Sequence, residues 1–298
     1  MSYLERTYSF FSFEYAFATY ALIAAILIGI VCGAVGVLLV LKRLSLLGDA
    51  TGHATLPGVC LGFMAAGGLK SMGPIFVGAV LSGFFAAYLI GVISQGRRVR
   101  SDAAIGIVLT SFFGVGVVLL SYLQSSPTGE QSGLNSFLFG NVAGITSQRL
   151  YWIAAMTAAI LLFIVLFFRW LELSTFDEGF ASTLGIPVAF VHNALLALLS
   201  ISVVVSIESV GVVLVSAMLI IPASTALLFS KQIKSAMVIS SGFGALAGIG
   251  GALLSHLFEG VSTGPAMAIV SGCMFLLVML FNRLRRSSLQ TLIGRSHV

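Results

Sequence analysis

The chain has 298 residues, 58% of them hydrophobic and 8% charged, and its 15 Lys+Arg against 10 Asp+Glu leave a formal net charge of +5. Soluble domains carry roughly 25% charged residues, so there is too little polar surface here to coat a water-soluble globule. A soluble enzyme, a disordered tail and a nucleic-acid module are excluded, and the basic excess has to be read against a bilayer.

A spanning helix needs about 20 apolar residues. The opening stretch, MSYLERTYSFFSFEYAF, pairs Glu5 with Arg6 and lacks a small-residue cleavage site. It is expected to lead along the membrane interface into the first span rather than to be cleaved. Apolar segments follow near 16–41, 46–68, 73–95, 103–123, 149–168, 187–207, 210–230, 235–256 and 262–282, the second interrupted by Pro57 and several glycines. The expectation is an all-α, polytopic transmembrane bundle of about nine spans, forming one domain over 1–298 without repeats or linkers.

The loops sort by charge. Twelve of the 15 basic residues, from Lys42 and Arg43 to Arg295, follow odd-numbered segments, and only Arg6, Lys70 and Arg149 fall on the other side. Cytoplasmic loops collect Lys and Arg, so the N-terminus is expected outside and the C-terminus in the cytoplasm. Small residues recur at four-residue spacing in Gly29–Gly33 and Gly244–Gly248, which lets helix backbones approach closely. Cys32, Cys60 and Cys273 sit singly in apolar runs, as buried small hydrophobes rather than a metal or disulfide framework.

Two longer polar stretches stand out, Gln124–Gln131 outside and Arg169–Pro187 inside. In the second, Ser174 or Thr175 suits a helix cap, with Asp177 and Glu178 in the first turn and an end near Gly185. Phe176, Phe180 and Leu184, spaced by four, share one apolar face that either lies in the lipid interface or docks on a partner.

Ionisable side chains inside a span are costly and are functional candidates by default. Asp49 and His53, in LLGDATGHATLPG, lie one helical turn apart on one face, a spacing that lets a carboxylate and an imidazole share a divalent ion. Equally, Asp49 could cap the second helix and His53 could bond a neighbouring one. Two ligands are too few for a closed site, so completion by a second copy about a two-fold axis, by other side chains or by water stays open. His192 and Asn193 in the sixth span, and His256 and Glu259 near the outer surface, are read as packing or rim residues. Glu208 is a candidate outer-mouth acid, where a carboxylate raises the local cation concentration. None of the four lysines stands in a GxxxxGK[ST] phosphate loop, so any ATP hydrolysis has to come from another chain.

The run Leu44–Val59 (LSLLGDATGHATLPGV) resembles the signature of the membrane subunits of bacterial ABC importers for manganese, zinc and iron, the ABC-3 type. Asp102–Gly106, Ser132–Gly140, Thr175–Gly185 and Val210–Ala223 add further matches in the same order, and the likeness runs from about 16 to 284. The resemblance implies an ABC importer permease fold and a permease dimer, homomeric or of two related chains. It also implies cytoplasmic ABC ATPase subunits and an extracytoplasmic metal-binding protein in the bacterial inner membrane. It puts the metal site on Asp49 and His53. It puts the coupling helix within about 172–186, carried by Phe176, Asp177, Glu178, Phe180 and Gly185. The permease would have no catalytic residue and no resident cofactor, the transported ion being Mn2+, alternatively Zn2+ or Fe2+. The Gln131–Gly140 stretch is closest to the manganese or iron branch, whereas Val261-Ser-Thr-Gly264 lacks the proline common in relatives. The alternatives are a secondary ion-coupled metal carrier or channel, which would work as a lone chain, and an intramembrane enzyme, for which no nucleophile–base set or metal triad can be assembled.

Overall fold

The computed structural model describes residues 16–67, 72–95, 99–125, 145–258 and 261–294. Among them are eleven helices and no strand. They are α1 (Ala16–Leu41), α2 (Ser45–Ala65), α3 (Met72–Gln95), α4 (Ser101–Gln124), α5 (Ser147–Leu166), α6 (Phe168–Phe176), α7 (Glu178–Thr183), α8 (Val188–Val210), α9 (Val212–Leu227), α10 (Ile233–Leu257) and α11 (Thr263–Gly294). Long apolar runs take this form because lipid offers backbone N–H and C=O groups no partner, and a helix satisfies them within its own segment.

Seven of these helices, rather than nine, are long and apolar enough to cross a membrane: α1, α3, α4, α5, α8, α10 and α11. The two that depart from expectation are α2 and α9. Helix α2 has 21 residues, but its glycines, threonines, Asp49 and His53 dilute its apolar character. Helix α9 has 16 residues, about 24 Å at 1.5 Å per residue, against a hydrocarbon core of about 30 Å. Both pack largely against other helices, although α2 keeps Leu46, Leu61 and Met64 exposed. Fourteen residues of α2 are buried, so it does not need the apolar outer surface that sequence hydropathy measures. By contrast, α4, α5 and α11 turn exposed apolar side chains such as Val118, Val165 and Leu277 outward, the face that lipid would cover.

The centre of the bundle is an antiparallel seam between α1 and α10. The two small-residue repeats meet there. A side chain on Gly29 would collide with the Gly244 carbonyl and the reverse, Gly33 faces Ser240, and Gly248 faces Ala25. Ser240 Oγ donates to Gly33 O at 2.8 Å and Ser241 Oγ to Ile30 O at 3.1 Å. Close backbone approach with hydroxyls bridging the helices is how apolar helices associate without a hydrophobic driving force. A second seam joins α2 to α3, where Gly58 lies on Gly78 and Gly62 on Pro74. Leu219 of α9 fits against both Gly36 of α1 and Gly48 of α2.

At one end of the bundle, α1 closes in a Schellman turn. Leu44 N–H bonds Leu39 O at 2.8 Å and Arg43 N–H bonds Val40 O at 3.1 Å, with Arg43 at φ 59°. That left-handed position usually belongs to glycine. The tight turn sends the chain directly into α2.

Candidate functional site

Helix α2 carries Asp49 and His53 at the start and end of its second turn. The i, i+4 spacing works as expected: His53 Nε2 stands 3.8 Å from Asp49 Oδ1. That is too far for a hydrogen bond. An ion about 2.1 Å from each donor would hold them about 3.0 to 3.5 Å apart, a small side-chain adjustment away. The Asp49 side chain is 41% exposed and that of His53 23%. Asp49 is not the helix cap. Leu44 holds that position and makes no side-chain cap bond.

The surroundings of His53 are apolar. Its ring meets Phe113 of α4 edge-on, centroids 5.3 Å apart. A small cavity beside it is lined by Gly52, Thr55, Leu56, Val59, Phe113, Ile207 and Val212. Gly52 leaves room where a Cβ would press on Val212. His53 Nδ1 is buried and has no hydrogen-bond partner among the described residues, although a ligating imidazole normally donates from its second nitrogen. The nearby hydroxyls are committed elsewhere: Thr51 Oγ1 donates to Leu47 O at 2.7 Å and Thr55 Oγ1 to Gly52 O at 2.6 Å. Pro57, inside the helix, has no N–H to return to the His53 carbonyl. Ser82 Oγ of α3 holds the neighbouring Ala54 carbonyl at 2.6 Å, and Ser200 Oγ of α8 holds Val80 O at 2.8 Å. No group of three or more His, Cys, Asp or Glu side chains able to hold a metal occurs among the described residues. Among the described residues the chain thus brings one carboxylate and one imidazole together here, too few to enclose a metal ion by themselves.

The other site candidates are dispersed. His192 lies in α8 beside Gly91 of α3, away from the Asp49–His53 pair. Glu208 belongs to α8 by its backbone, but its side chain lies outside the described residues, as do Glu259 and the Ser132–Gly140 segment.

The polar stretch after α5 folds as two short helices rather than one. Neither Ser174 nor Thr175 caps the second. Thr175 Oγ1 is used within α6, on Leu171 O at 2.6 Å. Asp177 breaks the chain and caps α7, its Oδ1 accepting from Phe180 N–H at 2.9 Å. Asp177 therefore stands before the first turn and Glu178 in it. A carboxylate is a strong cap acceptor, and its charge favours the positive helix end. Gly185, at φ 78°, closes α7 in a second Schellman turn: Ile186 N–H bonds Ala181 O at 3.1 Å and Gly185 N–H bonds Ser182 O at 3.0 Å. Phe176, Phe180 and Leu184 are all exposed.

Sequence reasoning took Lys42 only as a loop charge. Its ammonium instead reaches Glu178 Oε1 at 2.8 Å and Ser174 Oγ at 3.4 Å. This pair places the α1–α2 turn and α7 at the same end of the bundle. The two residues are 136 positions apart, and no local signal links them.

Residues 14–282 match the family model described as the ABC 3 transport family. The chain belongs to the ABC 3 transport family. It is 41% identical over 261 residues to the manganese transport system membrane protein MntC of Bacillus subtilis, covering 88% of this chain and 60% of that protein. The chain thus spans about three fifths of the length of that relative. It is 36% identical to the zinc transport system membrane protein TroC of Treponema pallidum, over 83% of each. Among solved structures, PsaBC from Streptococcus pneumoniae in complex with a Fab superposes with a TM-score of 0.80 at 37% identity, covering 91% of this chain and 95% of that one. As an ABC 3 family member the chain is a multi-pass membrane permease. Of the segments that carried the family resemblance, Leu44–Val59 forms the turn into α2 and most of that helix, Asp102–Gly106 opens α4, and Thr175–Gly185 spans the α6–α7 break. Val210–Ala223 crosses the kink at Gly211, φ 89°, into α9.

Proposed function

We propose that this chain is the transmembrane permease of an ABC importer that moves a divalent transition metal into the cytoplasm by alternating access. Manganese is the favoured cargo, with zinc and ferrous iron as alternatives. Asp49 and His53 bind the ion during passage. The observation that carries this function is the pair itself: a carboxylate and an imidazole 3.8 Å apart on a helix packed largely against other helices, with a buried ring nitrogen left unpartnered among the described residues. A second permease copy seated on this face would bring two oxygen and two nitrogen donors to one ion. Oxygen and nitrogen ligation without thiolate suits manganese, iron or zinc. The affinity order of such sites favours zinc over manganese, so selectivity rests largely on geometry and on the delivering protein.

ATP hydrolysis belongs to separate cytoplasmic subunits that dock on the exposed apolar face of Phe176, Phe180 and Leu184, with Asp177 and Gly185 setting the ends of α7. An extracytoplasmic binding protein delivers the metal. The N-terminus lies outside and the C-terminus in the cytoplasm. The excess of Lys and Arg in the loops assigned inside supports that orientation, and the ion pair of Lys42 with Glu178 supports only that those two loops share one side. Relatives named for manganese and zinc transport support the cargo class.

The test is uptake in proteoliposomes holding the permease, its ATPase and its binding protein. Wild type should accumulate manganese only with ATP. Asp49→Ala and His53→Ala should assemble normally and lose at least about 10-fold in uptake, the scale on which disturbance of a metal site is felt. Wild-type uptake by the lone chain under an ion gradient, or unchanged uptake in both variants, would refute the proposed function.

A further inference from the structure

Helix α7 is six residues long and rests on α6 and α8. Most of its polar side chains turn back on the helix itself: Ser182 Oγ donates to Gly179 O, Thr183 Oγ1 to Phe180 O, and the Asp177 cap takes the Phe180 N–H. Among the described residues, Glu178 alone on α7 makes a side-chain hydrogen bond to another part of the chain, at 2.8 Å from Lys42. The two ends of that bond differ. Glu178 is 60% exposed, while the Lys42 side chain is 8% exposed. A buried ammonium carries a large desolvation cost unless it is paired and hydrogen-bonded, and Lys42 finds both conditions in Glu178 and Ser174.

Lys42 sits at a junction. Its own N–H bonds Leu38 O at 3.0 Å, and it is the C-cap of α1 inside the Schellman turn whose two bonds lock residues 39–44. Beyond the turn α2 begins at Ser45, and Asp49 follows seven positions after Lys42. Packing runs the same way: the Leu219 backbone carbonyl lies on Gly36 of α1, and its side chain lies against Gly48, the residue before Asp49. A displacement of α7 therefore has a short, charged handle on the turn that aims the metal-bearing helix.

We infer that the Lys42–Glu178 ion pair is the tether that passes motion of the coupling helix to the Asp49–His53 helix, so that its loss uncouples ATP hydrolysis from metal uptake. The inference rests on the permease function proposed above. Lys42 is a positioning residue: it touches neither the ion nor the ATPase.

The experiment compares wild type, Lys42→Met, Lys42→Glu and the exchanged pair Lys42→Glu with Glu178→Lys, each reconstituted with its ATPase and manganese-loaded binding protein. Manganese taken up per ATP hydrolysed is the readout. Lys42→Met and Lys42→Glu should bind the ATPase, hydrolyse ATP and fall about 10-fold in that ratio, a typical size for coupling between sites. The exchanged pair should recover most of it. An unchanged ratio in Lys42→Met, or no recovery in the exchanged pair, overturns the tether. Loss of ATPase binding in Lys42→Met overturns it as well, since the pair would then shape the docking surface instead of transmitting motion. If wild type itself fails to take up manganese with ATP, the failure belongs to the proposed function and not to the tether alone.

Discussion

The seam between α1 and α10 and the site helix α2 are built from the same small residues to opposite effect. Along the seam, Gly29, Gly33, Gly244 and Gly248 remove side chains so that backbone meets backbone, and Ser240 and Ser241 fasten the contact from one helix to the other. In α2, Gly58 and Gly62 do the same toward α3, but around Gly52 and His53 the missing side chains leave a cavity. Nδ1 of His53 there has no hydrogen-bond partner among the described residues. Glycine therefore makes either a weld or a vestibule, depending on whether a second backbone fills the space. At the seam backbone packs directly on backbone, whereas α2 keeps a small cavity beside His53 and two side chains that stay partly exposed.

Substitutions can break this contrast in order of size. Gly244→Leu should be the most damaging, because its side chain must enter the Gly29 backbone. Overpacking usually costs about 1 to 3 kcal/mol, and a collision with backbone belongs at or above that limit. The expected result is loss of monodisperse permease on size-exclusion chromatography in detergent. Asp49→Asn keeps the shape of the site and removes its charge. Metal uptake should fall by about 10-fold or more while thermal unfolding stays where it was. A matching drop in unfolding temperature would make Asp49 a structural residue like those of the seam. Ser82→Ala removes the bond that holds the Ala54 carbonyl beside His53. It should cost about 0.6 kcal/mol, the average for side-chain hydrogen bonds between membrane helices, read as a lower unfolding temperature.

Arg43→Gly should have the smallest effect and the opposite sign. A left-handed residue with a Cβ costs about 1 to 2 kcal/mol, and glycine returns roughly half of the gain through the greater freedom of the unfolded chain. A net stabilisation of about 0.5 kcal/mol should appear as a slight rise in unfolding temperature. A fall would show that the Arg43 side chain supports the turn.

Much of the local geometry of the candidate site was legible because its signals are local. The Asp49–His53 spacing needs only helical geometry, and Gly185 stops α7 by a rule that depends on one residue's backbone freedom. The facing repeats at Gly29–Gly33 and Gly244–Gly248 were visible as close-packing surfaces, though not as partners. The expected cap at Ser174 or Thr175 was replaced by Asp177 because the preceding helix runs on to Phe176: Thr175 bonds Leu171 O within it, Ser174 accepts from Lys42, and Asp177 stands where its carboxylate meets the Phe180 N–H. Seven rather than nine of the described helices are long and apolar enough to cross a membrane, because Asp49, His53, the threonines and the glycines dilute α2 and because α9 has only 16 residues.

By itself the sequence determined what depends on composition and on neighbours in the chain: a membrane bundle, the helix that carries a carboxylate and an imidazole one turn apart, and the family. Tertiary structure alone decided which glycines meet, which nitrogen of His53 is left without a partner among the described residues, and that Lys42 leaves the loop to grip Glu178. Those outcomes arise between residues far apart in sequence. They are set by how closely backbones approach and by where a buried charge finds its counter-charge, and neither is written in any local pattern.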